Sequence, residues 1–170
     1  MEPTMLFAGM LYHEREYFRK AREELRKTFG EIAMEPPPSA WEVSDYYREE
    51  LGWPITRSFI FFRERIDPLA LPDIKCITND LEGRLSREGG RTVNIDPGYM
   101  TLSKVVLAST KNYSHRLYIG KGVFAELCLV HVKGKYRPHL FTYSDYASED
   151  SLKIFEEARK VLKLHLHLQD

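Results

Sequence analysis

The sequence is short of several things. Only two of its 170 residues are cysteine, Cys76 and Cys128, and they show no metal-ligand spacing and no secretory context. That speaks against a disulfide framework or a cysteine zinc site and leaves two reduced thiols. Net charge is missing too, since 25 Lys and Arg balance 25 Asp and Glu. A strong nonspecific binder of nucleic acid or of an anionic membrane carries a basic excess, so the balance argues against both while allowing a local basic patch. No apolar run reaches the length of a membrane span, and the first residues lack a charged leader before a long apolar stretch. The expectation is a cytoplasmic chain. Internal repeats and low-complexity tracts are absent as well.

What is present is ordinary for a globular protein: 43% hydrophobic and 29% charged residues, enough to build one sizeable core. The expected organisation is one domain over residues 1–170. Its expected class is α+β, a mixed, mostly antiparallel sheet packed with about four helices.

Met5–Tyr12 is an apolar run suited to a buried strand. From Glu14 to Phe29, Phe18, Ala21, Leu25 and Phe29 recur at helical spacing, with Gly30 as the stop. A short strand over 31–34 and a proline break at 36–38 follow. The aromatic segment around Trp41, Tyr46, Tyr47 and Trp53 reads as cover for one edge of the core, with Asp45 as its polar exception and a candidate ligand contact. Arg57–Ile66 reads as a strand. Pro72 opens a helix striped by Ile74, Ile77, Leu81 and Leu85, in which Asn79 and Asp80 read as solvated. Arg116–Ile119, Val123–Val132 and Lys135–Tyr143 read as a meander, and Ser151–Leu168 as an amphipathic helix. His165 and His167 cannot share a helical face, so they make no metal pair.

The stretch from Thr92 to Lys121 concentrates the polar residues that look chosen for chemistry. Val93 and Ile95 alternate with Thr92, Asn94 and Asp96, the period of a half-buried strand, and Pro97-Gly98 would end it. Leu102, Val105, Val106 and Ser109 then fall at i, i+3, i+4 and i+7, which predicts a helix, although the β-branched Val105-Val106 leaves a strand open. A strand-turn-helix would set Asp96, Gly98 and Tyr99 at a helix N-terminus, where unpaired N–H groups favour an anion. The bland reading makes Asp96 a turn or capping aspartate. Lys111, Arg116 and Lys121 supply cations, Tyr113 and Tyr118 hydroxyls, and His115 an imidazole that titrates near neutrality. Glu126 shares its strand face with apolar Phe124, Cys128 and Val130, so its carboxylate needs a partner, and Arg116 or Lys121 is the obvious one.

The pieces F-A-G-M-L-Y, S-D-Y-Y at 44–47, V-N-I-D-P-G-Y at 93–99, L-A-S-T-K-N-Y-S-H-R-L-Y-I-G-K-G at 107–122 and T-Y-S-D-Y at 142–146 span most of the chain. With them the sequence resembles the bacterial and archaeal domain-of-unknown-function family 4416. The resemblance implies no activity. A GTP-binding label borne by some members finds no P-loop or guanine-reading motif here, because Gly120-Lys121-Gly122 lacks the rest of a P-loop.

Two functions stay open. In the first, a small-molecule enzyme or binding protein takes a phosphorylated or carboxylated ligand, a nucleotide among the candidates. Asp96, His115 and Glu126 would be its acid/base groups, and Asn94, Gly98, Tyr99, Lys111, Tyr113, Arg116, Tyr118, Lys121 and Asp45 its ligand contacts. In the second, the chain is a non-catalytic module for RNA or a protein partner, suggested by 12% aromatic residues interleaved with basic ones. Beneath both lies a plain alternative, that the Asn94–Lys121 groups form an internal network without chemistry. The residues specify no metal, no cofactor and no oligomeric state.

Overall fold

The computed structural model describes residues 2–167. The eight residues of β1 (Met5–Tyr12) are all buried. A strand covered on both faces cannot alternate, which is why its sequence is a continuous apolar run. The chain continues through α1 (Arg15–Phe29), β2 (Ile32–Met34), β3 (Ser39–Ala40), α2 (Arg48–Leu51), β4 (Thr56–Arg65), a 3-10 turn at Pro68–Ala70, α3 (Leu71–Leu85), β5 (Val93–Met100), β6 (Lys104–Ser109), β7 (Leu117–Gly120), β8 (Val123–Val132), β9 (Lys135–Pro138), α4 (Ser144–Ala147) and α5 (Glu149–His167). The class is α+β.

One sheet holds every strand, in the order β2-β4-β1-β5-β6-β8-β7, with β3 added to β4 and β9 to β8. Every ladder is antiparallel. On one face Leu6, Ala8 and Met10 of β1, Ile60 and Phe62 of β4, and Val93 and Ile95 of β5 pack against Phe18, Ala21 and Leu25 of α1 and Ile74 and Leu81 of α3. On the other, Met5, Phe7, Phe59, Phe61, Met100, Val105 and Cys128 pack against Phe155, Ala158 and Leu162 of α5. The period-2 alternation of the strands thus serves two helical layers. Helix α5 covers only part of its face. The other part, beyond Leu11, Arg57 and Leu107, carries no long helix among the described residues, and a cleft lies there.

The helix expected after Tyr99 does not form. β5 continues through Pro97-Gly98 to Met100, turns at Thr101–Lys104, where Thr101 N–H donates to the Lys104 carbonyl at 2.9 Å, and returns as β6. Val105, Val106, Leu107 and Ala108 are all buried, two on each face of the sheet. A strand buried on both faces has no polar alternation, and its short apolar run imitates a helical stripe. The anion site at a helix N-terminus therefore does not exist around Asp96 and Gly98.

Pro97 and Gly98 have structural reasons to sit inside a strand. A Cβ on Gly98 would run into the Val106 carbonyl oxygen and the Phe7 ring, so only glycine lets β5 and β6 approach here. The pairing of β5 with β6 covers only Gly98–Met100 against Val105–Leu107. Before Gly98 the two strands part, and the sheet is split. Ile95 would leave its N–H and C=O orphaned at that edge, but side chains of α3 take both: Glu82 Oε1 accepts the N–H at 2.6 Å, and Lys75 Nζ donates to the carbonyl at 3.2 Å. Residue 97 presents its backbone to the same edge, where proline has no N–H to leave unpaired.

Two smaller differences complete the fold. β9 ends at Pro138, and the expected loop over Thr142–Tyr146 contains the one-turn α4. The expected end of the last helix, Leu168, lies outside the described residues.

Candidate functional site

The split between β5 and β6 opens onto a cavity of about 710 Å³, within the usual size range of small-molecule sites. The parted strands supply Asn94 and Asp96 of β5 and Leu107 and Ser109 of β6, and their neighbours in the sheet add Leu11 of β1, Arg57 of β4 and Glu126 of β8. Lys75, Asn79 and Glu82 reach it from α3 and Arg91 from the loop before β5. Trp41, Val43, Ser44, Tyr46 and Tyr47 cover it from one side, Thr110, Lys111 and Tyr113 from a second, and Tyr143, Asp145 and Tyr146 from a third.

Arg57 is on β4 two residues before Phe59 and four before Phe61, so it extends the α5-side stripe into the cavity. It is buried, and its guanidinium carbon sits 5.3 Å from the Phe59 ring and 5.5 Å from that of Tyr146. Nη2 pairs with the Asp145 carboxylate, which also accepts from Trp41 Nε1 at 3.4 Å. Burial opposes the Arg57 charge, yet Tyr146, Asp145 and Asp96 together hold it firmly protonated. Its Nε and Nη1, and the Tyr146 hydroxyl, find no hydrogen-bond partner in the protein. Both groups lie over Gly9: a Cβ there would meet Arg57 Nη1 and the Tyr146 hydroxyl at 2.8 Å each.

At the other end, Glu126 and Arg116 are both 1% exposed and paired at 2.7 Å. Arg116 Nε also donates to Glu126 Oε2 at 2.8 Å, and its Nη1 donates to Ser109 Oγ and to the Lys111 carbonyl. Tyr113 and Tyr143 flank the guanidinium, with centroids 4.5 and 5.6 Å away. Of the two partners expected for Glu126, Arg116 is the one that pairs with it, and Lys121 pairs with Asp73 instead. Glu126 Oε1 has no hydrogen bond, and His115 Nε2 stands 3.6 Å from it. The His115 ring stacks on Phe141 at 4.8 Å.

The floor is a second charged network. Arg91 forks onto Glu50 at 2.7 and 2.9 Å and reaches Glu82 at 3.3 Å and Asn94 Oδ1 at 2.7 Å. Asn94 Nδ2 donates to Asp96 at 2.7 Å, and Lys75 pairs with Asp96 at 3.6 Å. The Arg91 hydrogen bond holds the Glu50 carboxyl below its ordinary range, while burial pushes that of Glu82 up. Burial likewise raises the Tyr47 and Tyr146 phenols, which stay protonated donors.

Among the described residues, the cavity cations Arg57, Lys75, Arg91 and Arg116 each have a carboxylate within 4 Å, and Lys111 does not. Lys111 is exposed at the rim. Its Nζ donates to the Tyr46 hydroxyl at 3.1 Å and lies 4.6 Å over that ring, and the bond to Tyr46 raises its pKa.

Of the residues expected from the sequence, Asn94, Asp96, Lys111, Tyr113, Arg116 and Glu126 line the cavity, and His115 stands behind Glu126. The others lie elsewhere. Gly98 is packed between Phe7 and β6, and Tyr99 points to the opposite face, against the Leu71–Val106 cluster. Tyr118 is exposed on β7, Lys121 pairs with Asp73 at the surface, and exposed Asp45 stands 3.7 Å from Arg48. Arg57, Lys75, Glu82, Arg91, Tyr143, Asp145 and Tyr146 were not singled out by their own sequence context. The likeness in composition between Ser44-Asp45-Tyr46-Tyr47 and Thr142-Tyr143-Ser144-Asp145-Tyr146 reads as coincidence in the sequence alone, but both segments reach this one cavity. No group of three or more His, Cys, Asp or Glu that could hold a metal occurs among the described residues, and none of their helices is long and apolar enough to cross a membrane.

Fold and site together define an α+β protein with an antiparallel sheet split around a charged, aromatic-walled cleft. The family model described as Domain of unknown function (DUF4416) matches residues 2–161, and the chain belongs to that family. No curated protein and no solved structure matches it.

Proposed function

We propose that the cleft binds a small anionic molecule in a cytoplasmic setting, whether to hold it or to act on it. The observation that carries a ligand here is Arg57, a buried guanidinium on the cavity wall with Nε and Nη1 unpartnered in the protein, while the anionic character rests on Lys111, which has no carboxylate within 4 Å among the described residues. A buried donor left unpaired costs about 1–3 kcal/mol, so an acceptor arriving from outside is favoured. Lys111 adds a positive charge at the rim that no carboxylate offsets. Zero net charge and the enclosed shape favour a small molecule over a nucleic acid.

Thermal shift of the purified chain against phosphosugars, nucleotides and small carboxylates tests it. A ligand at a hundred times its dissociation constant adds about 2.7 kcal/mol to the folded state. A hit that disappears in Lys111→Met supports the reading. Silence across the panel would sink it and turn attention to a protein- or RNA-binding module.

A further inference from the structure

Arg57 and Lys111 are unlike one another, and the difference says which part of a ligand each can take. Arg57 is deep and already neutralised by Asp145, with Asp96 adding negative potential nearby. A second full negative charge at Arg57 would meet those carboxylates in a low-dielectric wall. The donors left over, Arg57 Nε and Nη1 with the Tyr146 hydroxyl, suit an uncharged acceptor such as a ring carbonyl or ring nitrogen. Trp41 and Tyr47 also line the cavity, their rings packed edge to face with centroids 5.6 Å apart. Lys111 is at the rim and has spare donors and no offsetting carboxylate.

Resting on the reading of the cleft as a ligand site, we propose that its ligand is a planar heterocycle joined to one anionic group, of the nucleoside monophosphate kind. The heterocycle lies against Arg57 and Tyr146, and the anion lies at Lys111. β4 and β6 are three interstrand steps apart in the sheet, about 14 Å between backbones where strands pair, a spacing that suits a ligand with two distinct ends. A nucleoside triphosphate is disfavoured, because the cavity holds one uncompensated cation and four carboxylates, Glu82, Asp96, Glu126 and Asp145. The aromatic and cationic groups match the chemistry of stacking and charge-assisted hydrogen bonding.

Calorimetric titration of the full chain with adenosine and uridine 5′-monophosphates, the two nucleosides and ribose 5-phosphate tests the division. Lys111→Met is expected to weaken the monophosphates and ribose 5-phosphate about tenfold, the loss of one charge-assisted hydrogen bond, and to leave the nucleosides unchanged. Tyr146→Phe removes a hydroxyl without a protein partner, so the fold survives it. It is expected to weaken nucleosides and monophosphates and to spare ribose 5-phosphate. If ribose 5-phosphate binds as tightly as both monophosphates, or if Tyr146→Phe weakens it equally, the two-ended ligand is wrong while the anion site stands. If neither these compounds nor any other anion binds, the ligand-site reading falls with it.

Discussion

Glu82 of α3 and Ile95 of β5 are joined as two strands would be, the carboxylate accepting the backbone N–H at 2.6 Å. The same carboxylate is pushed upward in pKa by burial, from an ordinary value of 4.5. A group whose folded pKa is raised stabilises the fold fully below its unfolded pKa, and that contribution is lost as pH rises through the folded value. Glu82→Gln keeps an acceptor for Ile95 and does not titrate. Its unfolding free energy, followed by urea denaturation from pH 4 upward, is expected to decline less with rising pH than that of the native chain. A parallel decline in both would remove Glu82 from the account.

Glu50 behaves oppositely on the same Arg91. Its carboxyl is held down by the Arg91 hydrogen bond, so its contribution is present above 4.5 and lost as pH falls through the lower folded value. Arg91→Met is expected to flatten the acid side of the stability profile by freeing Glu50. An unchanged acid limb in the variant would show that the fork is not formed in solution.

The Arg116–Glu126 pair is buried at both ends. Removing one partner of such a pair costs about 3–5 kcal/mol, because the other charge stays buried alone. Arg116→Met is expected to lose that much in chemical denaturation, and Arg116→Met with Glu126→Leu to recover most of it. A double variant as weak as the single one would mean that the pair is worth more than its mutual compensation.

Gly9→Ala places a methyl 2.8 Å from both Arg57 Nη1 and the Tyr146 hydroxyl. Overpacking of this kind costs about 1–3 kcal/mol, and both groups would be displaced toward the cavity. Ligand binding is expected to weaken with stability, measured by titration beside denaturation. Lys121→Ala is the contrast. Lys121 and Asp73 have side chains more than half exposed, so neither stability nor binding should change measurably. A loss of binding would bring Lys121 into the site.

The long elements were readable because each has one dominant period. The buried run of β1, the Phe18–Ala21–Leu25 stripe of α1 and the Ile74, Leu81 and Leu85 positions of α3 needed no tertiary information, although Ile77 of the expected α3 stripe is exposed. β6 was not readable, since Val105–Ala108 is buried on both faces and loses the alternation that marks a strand. Half of the site was visible as chemistry: a carboxylate among apolar neighbours needs a partner, which narrowed the choice for Glu126 to Arg116 or Lys121, and the fold selects Arg116. The other half depended on the split in the sheet, which brings β4, α3 and α4 to one cavity. Arg57 reads locally as one charge at the head of a strand. Nothing near it in sequence says that Asp145 will neutralise it.

The Glu82 and Lys75 side chains that α3 sends into the gap between β5 and β6 also limit how this protein can be repaired or improved. Stability and cleft compete for the same backbone groups. A change that let β6 zip further along β5 would satisfy Ile95 with a strand, release Glu82 and Lys75 from the gap, and close the opening on which the cavity depends. A search for thermostable variants scored by melting point alone would therefore drift toward a tighter sheet with no cleft.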